Sequence, residues 1–242
     1  MEKEDSVQIN LSKSLTNSTI IVGPPNFGMI GTIVTEFLIS HLQMKSCGSI
    51  IIPGLPAVVA VHEGHILDPI GLYFDETKNI LIVHIAANVV GHETQIVDAM
   101  LKLAAQVTAS KIVCVDGLFD DGAMDVPNVW FVSRDQGVCA KLNEIGVDLL
   151  TDGIITGPSA TLLAQISSIP MVVLLASSHE QMADSSAAAS IVAALDEWLG
   201  FGVNSDSLLS YVQQFEDKWR SILSNSAQTK EEKEKKYVSY VG

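Results

Sequence analysis

Basic residues are scarce in this sequence. Lysine and arginine number 14 against 28 aspartates and glutamates, a formal net charge of −14 over 242 residues. The imbalance is not confined to the ends, because residues 6–229 carry 22 acids and 9 bases. A body that acidic repels phosphate backbones, which argues against nucleic acid as a partner. It suits a soluble protein, or one that docks on a basic surface. Cysteine is also sparse. Cys47, Cys114 and Cys139 are widely spaced, with no CxxC pair and no metal-ligand spacing. Reduced thiols in a cytosolic protein are the expectation. The N-terminal "MEKEDSVQIN" is charged and lacks the apolar core of a signal peptide, so a cytoplasmic location is expected. Long membrane-type runs are missing too. Gly153–Ser178 contains no charged residue, but Gly157-Pro158, Ser167-Ser168 and Pro170 divide it into a short helix and a short strand. No membrane partner is expected.

What is present is apolar bulk. The chain is 48% hydrophobic and 17% charged, enough to bury a sizeable core. The periodicity predicts strands at Ser18–Gly23, Gly48–Ile52, Ala57–His62, Pro69–Phe74, Asn79–Ala86, Lys111–Asp116, Val129–Ser133, Gly153–Thr156 and Met171–Ala176. "DETKN" between the fourth and fifth of these predicts a hairpin. Helices are predicted at Gly28–Gln43, His92–Val107, Gln136–Asn143, Pro158–Ser167, Ser185–Leu199 and Ser205–Ser224. The first has a single apolar stripe of Ile30, Ile33, Val34, Phe37 and Leu38. The fifth is Ala-rich, with Asp184 or Ser185 as its cap. Apolar strands alternating with helices imply a mostly parallel, mixed sheet covered on both faces, a three-layer α/β/α domain. The domain is expected over 18–225, after an N-terminal segment 1–17 and before a charged tail 226–242. "KEEKEKK" followed by "YVSYVG" lacks the apolar content to join a core.

The stretch "GPPNFGMIG", Gly23–Gly31, follows a strand and opens a helix, as phosphate loops do. Gly23 and Gly28 have the glycine spacing of a P-loop, but Met29 and Ile30 stand where the lysine and the hydroxyl belong. A dinucleotide fingerprint fails at Asn26, where a glycine is required. No basic residue lies between Lys13 and Lys45 to offset phosphate charge. The better reading is a tight strand-to-helix corner, with Gly28 and Gly31 letting the helix approach the sheet. If the loop takes a ligand, the candidate residues are Gly23, Asn26, Phe27, Gly28 and Gly31. Asp116, at the carboxyl end of a parallel strand, is the best single acid or base to join them. "TGPSAT" (156–161) puts Ser159 after a predicted strand, yet Thr161 replaces the second glycine of a nucleophile elbow, and Pro158 is explained as the start of a helix. His62, His65 and Asp68, and the carboxylates Asp116, Asp120, Asp121 and Asp125, match no metal-site spacing. Neither a metal nor any other cofactor is expected.

Several blocks together resemble the proteasome-assembly-chaperone family of archaea, bacteria and eukaryotes, in its archaeal type. They are "GPPNFGMIGTIVTEFLISHL" (23–42), "DPIGLYFDETKNILIVHIAANV" (68–89), "GIITGPSATLLAQISSIPMVVLLASSH" (153–179) and "DSSAAASIVAALDEWLGFGV" (184–203). The resemblance runs over about 20–225 and lies in the order of the blocks. It implies an α/β/α fold like that of nucleoside phosphorylases, without an established active site, so no enzyme. It also implies homo-oligomers and ATP-independent assembly or activation of the 20S proteasome, with its α-subunits as partners. Some archaeal members end in hydrophobic-Tyr-any residue, a tail that inserts between α-subunits and pairs its carboxylate with a lysine. Here Tyr240-Val241-Gly242 puts the tyrosine one place early, after Ser239. The tail residues Tyr237, Tyr240, Val241 and Gly242 are the partner-binding candidates. The rival from another class is a nucleoside- or small-molecule-binding enzyme with Gly23–Gly31 as anion loop and Asp116 as acid or base.

Overall fold

In chain order the elements are β1 (Gln8–Leu11), β2 (Thr19–Gly23), α1 (Ile30–His41), β3 (Lys45–Ile51), β4 (Ala60–His62), β5 (His65–Leu67), β6 (Ile70–Asp75), β7 (Ile80–Ile85), α2 (Glu93–Gln106), β8 (Lys111–Phe119), β9 (Val129–Ser133), α3 (Gln136–Glu144), β10 (Asp148–Leu149), α4 (Gly157–Gln165), β11 (Met171–Ser178) and α5 (Ser185–Leu199). The computed structural model describes residues 6–55, 60–62, 65–120, 127–178, 183–204, 208, 210 and 211. Residues 1–203 form one unit and 204–242 a second. In the second, Leu208, Ser210 and Tyr211 are helical, and the Leu208 amide donates to the Asn204 carbonyl at 3.1 Å. The rest of the helix expected at Ser205–Ser224, and the tail with Tyr237, Tyr240, Val241 and Gly242, lie outside the described residues.

Nine strands build one sheet in the order β1-β3-β6-β7-β2-β8-β11-β9-β10, and β4 and β5 pair by themselves. The central strands β7, β2, β8 and β11 run parallel. Both flanks bring in antiparallel pairs: β1–β3–β6–β7 on one side and β9 against β11 on the other. The predicted hairpin is β6–β7, where the Asp75 carboxylate accepts the Lys78 amide at 2.7 Å in the turn.

Strand side chains alternate between two helical layers. Ile20, Val22, Leu81, Val83, Ile112, Cys114, Val173 and Leu175 share a core with Ile96, Val97, Met100 and Leu103 of α2 and Leu162 of α4. On the other face α1 packs against α5 and against β2, β7 and β8. The stripe Ile30, Ile33, Val34, Phe37 and Leu38 is buried, as are Ala187, Ala188, Ile191, Val192 and Leu195 of α5. The fold is thus a three-layer α/β/α arrangement around a mixed sheet with a parallel centre. The uncharged run 153–178 becomes α4 and a fully buried β11, with Pro158 in the first turn of α4.

One local expectation fails. No strand forms at Gly153–Thr156. The position beside β11 is taken by antiparallel β9, and Asp148–Leu149 pair with β9 instead, so 150–156 crosses the end of the sheet with Ile154 in solvent. Within the N-terminal segment, Gln8–Leu11 form an edge strand on β3. That edge is close at Gly48, where a Cβ would lie 1.8 Å from the Asn10 carbonyl oxygen, and a bulge between Ser46 and Gly48 interrupts the ladder on the other side of β3, against β6.

Candidate functional site

The glycine-rich loop is a corner built by close backbone approach. Gly28 (φ 65°) and Met29 (φ 51°) are both left-handed, and the pair reverses the chain through one 3-10 turn into α1. A Cβ on Gly31 would fall 2.6 Å from the Val115 carbonyl oxygen and 2.7 Å from that of Pro24. Gly31 therefore sets how closely α1 lies on β2 and β8, as its sequence position predicts. The corner is tied to α5 as well, since the Asp184 amide donates to the Gly28 carbonyl at 2.8 Å.

Asn26 and Asp116, ninety residues apart, meet beneath this loop. The Asn26 amide donates to Asp116 Oδ2 at 3.0 Å and to the Thr156 carbonyl at 3.3 Å. The Ser159 hydroxyl donates to the same Oδ2, and the Gly117 amide donates to Oδ1 at 2.8 Å. Cys114 Sγ lies 3.3 Å from Ser159 Oγ. Cys114 and Asp116 share one face of β8 by the two-residue period of a strand, and α4 covers that face. The cluster joins the β2 loop, β8 and the first turn of α4 at the carboxyl end of the parallel strands.

The electrostatics follow from burial. Asp116 is 1% exposed. Desolvation pushes its pKa up to about 6, against the downward pull of the Asn26, Ser159 and Gly117 hydrogen bonds. Cys114 is raised still further by burial, with Asp116 nearby adding to the effect, so its thiol stays protonated. His84 goes the other way: desolvation lowers it to about 4. Its Nδ1 is 2.9 Å from Thr35 Oγ1.

Such a cluster is suited to holding elements together. Ser159 is completely buried and its hydrogen-bond partners are Asp116 and Cys114, with no imidazole among them to take its proton. An anion entering the loop would meet the Asp116 carboxylate in place of a lysine. Two clefts of the described residues lie elsewhere. One of about 370 Å³ is lined by 11–15 and Gln106, the other of about 210 Å³ by Arg134, Asp135, Leu163 and 166–171. Among the described residues no group of three His, Cys, Asp or Glu side chains is placed to hold a metal, and no helix is long and apolar enough to cross a membrane.

Of the loop candidates, Asn26 touches Asp116 directly. The Phe27 carbonyl packs on Gly117, and Gly23, Gly28 and Gly31 shape the corner. The sequence reading missed Ser159 as a partner of Asp116, Cys114 as a partner of Ser159, and Ser178 as a second partner of the Asp184 cap. A usable signal was present: Pro158 fixes Ser159 in the first turn of a helix that follows a crossover to the same sheet end. Asp184 caps α5 by accepting the Ala187 amide at 2.9 Å, and also takes the Ser178 hydroxyl.

Comparison with known families adds what the geometry cannot name. The PAC2 family model matches residues 20–223. The chain belongs to the PAC2 family. Among solved structures, it is similar to Pyrococcus furiosus PbaA, described as an archaeal homolog of proteasome-assembly chaperone. The two share 25% identity and a TM-score of 0.79, with 93% of this chain and 99% of that one covered. Pyrococcus furiosus PbaB, an archaeal proteasome activator, gives 17% identity and a TM-score of 0.72 over 90% of this chain and 99% of its own. A PAC2 family protein from Streptomyces avermitilis gives 11% and 0.62 over 83% and 95%. These last two likenesses are of fold. No curated protein sequence matches. Membership of the PAC2 family agrees with the resemblance read from the order of the sequence blocks.

Proposed function

We propose that this protein is a proteasome assembly chaperone-like protein, ATP-independent and non-enzymatic, that recognises proteasome α-subunits or their assembly intermediates through its surface. The observation that carries this reading is the end-to-end similarity to PbaA together with the PAC2 match over 20–223. The site supports it from the chemical side. The glycine loop lacks a phosphate clamp, and the one strongly perturbed carboxylate beneath it is fully engaged with Asn26, Ser159 and Gly117. In this reading the protein acts as a homo-oligomer in the cytoplasm, and the segment 226–242, with Tyr237, Tyr240, Val241 and Gly242, supplies a second contact. Acidic charge over the body favours a basic docking surface.

The test is a pull-down of 20S α-subunits by the full chain and by a chain lacking 226–242, with the oligomer mass of each measured in solution. Retention by the full chain is expected, with weaker retention after deletion. Equal retention by both removes the tail from the account and leaves the body. No retention by either overturns the reading.

A further inference from the structure

Strands β7, β2, β8 and β11 present their carboxyl ends at one end of the molecule. β3 runs with them, since it is antiparallel to β6 and β6 to β7. That end carries most of the stray apolar surface. Of the five strongly exposed large apolar side chains among the described residues, Ile51, Val90, Phe119 and Ile154 lie there. Val90 is 78% exposed, Phe119 62% and Ile154 83%. Phe119 stands edge-on to Phe27, with ring centroids 5.6 Å apart. Asn26, the neighbour of Phe27, holds the Thr156 carbonyl, two residues from Ile154. Phe27, Phe119 and Ile154 therefore flank one corner of the fold, the corner built by the glycine loop.

Charge is segregated along the same axis. The described connecting segments at this end are 6–7, 24–29, 52–55, 68–69, 86–93, 117–120, 127–128, 145–147, 150–157 and 183–184. They include Asp68, Glu93, Asp120 and Asp152, besides the buried Asp184, and no lysine or arginine. Five of the seven described bases are at the opposite end, while Lys102 and Lys141 lie along α2 and α3. Lys45 and Lys111 open β3 and β8, Lys78 lies in the β6–β7 turn, Lys13 follows β1, and Arg134 follows β9, which is antiparallel to β11. Apolar tips on ground of one sign are a docking pattern. Apolar contact gives affinity, while the uniform charge steers a partner of opposite sign and repels one of the same sign.

We propose that the carboxyl end of the sheet, centred on Phe27, Phe119 and Ile154, is the face that docks a protein partner offering a basic rim around an apolar recess. Resting on the reading above, that partner is a 20S α-subunit. The same end of a second copy is disfavoured, because it would set acid against acid. The glycine corner then has a role beyond packing: it holds Phe27 against Phe119 at the tip of β8.

The test uses the full chain and purified 20S α-subunits, with binding measured at low and high salt. Phe119→Ser with Ile154→Ser removes exposed apolar surface. Asp68→Lys with Asp152→Lys reverses exposed charge. All four positions are exposed, so thermal melts are expected to match the wild type. The first pair is expected to weaken binding about tenfold or more with the salt dependence kept. The second pair is expected to weaken it and to flatten the salt dependence. If both pairs bind like the wild type while the wild type binds, the face is wrong and the α-subunit reading stands. A change in oligomer mass in either variant makes the face a self-contact and overturns the proposal. Absence of binding by the wild type overturns the α-subunit reading, and this one with it.

Discussion

Asp116 is where single-residue physics is most exposed to measurement. Its folded pKa of about 6 lies above the ordinary aspartate value of 3.8. The folded state therefore holds the proton more tightly than the unfolded chain. The stabilisation from this residue is complete below the unfolded pKa and is lost as pH rises through the folded one, a window from about 4 to about 6, worth roughly 3 kcal/mol. His84 has the reverse sign. With its pKa lowered to about 4, its contribution is complete above 6.5 and is lost as the pH falls. The two slopes oppose each other between pH 4 and 6. Urea titrations across that range are expected to show Asp116→Asn losing stability on acidification more steeply than the wild type, because the opposing term is gone. Parallel slopes would mean that Asp116 is not desolvated. Gly31→Ala is the second test at this scale. Its new Cβ would meet two backbone carbonyl oxygens inside 2.8 Å, and backbone cannot swing aside. A loss of about 1–3 kcal/mol or more is expected from denaturant unfolding.

At the scale of elements, α5 is held by its first residues. Asp184 accepts the Ala187 amide and the Ser178 hydroxyl, while its own amide binds the Gly28 carbonyl. Asp184→Ala is expected to cost about 1–2 kcal/mol in urea unfolding. Asp184→Asn, which keeps an acceptor for the Ala187 amide, recovers part of it. This cap was legible in the sequence, as were the buried stripe of α1, the β6–β7 hairpin and the division of 153–178 into helix and strand. Each rests on local periodicity or a local breaker. What was misread or left unread has the opposite character. Gly153–Thr156 has strand composition, but the place beside β11 belongs to β9. Gln8–Leu11 alternates polar and apolar over four residues only, too short a run to stand out until β3 offers an edge. The meeting of Asn26, Asp116 and Ser159 needs the topology, because it spans 133 residues between its first and last members. Pro158, which fixes Ser159 at a helix start, and the placing of Asp116 late in a parallel strand pointed towards it, although β8 runs on to Phe119 and does not end at Asp116 as expected.

At the scale of the whole molecule, a polar cluster with buried Asp116 and Ser159 lies inside the sheet's carboxyl end, and outside it the described connecting segments carry exposed apolar tips and acids but no lysine or arginine. The first is what an enzyme would open to substrate, and here it ties β2, β8 and α4 together. The second is what a binding protein would present. Family membership and the full-length similarity to PbaA favour the surface as the working part. The most direct measurement of that claim is binding of the full chain to purified 20S α-subunits, run beside a thermal-shift screen with nucleosides, nucleotides and phosphate. Saturable α-subunit binding without ATP is expected, with no shift from the small molecules. A shift of several degrees from one of them, with no α-subunit binding, would contradict it.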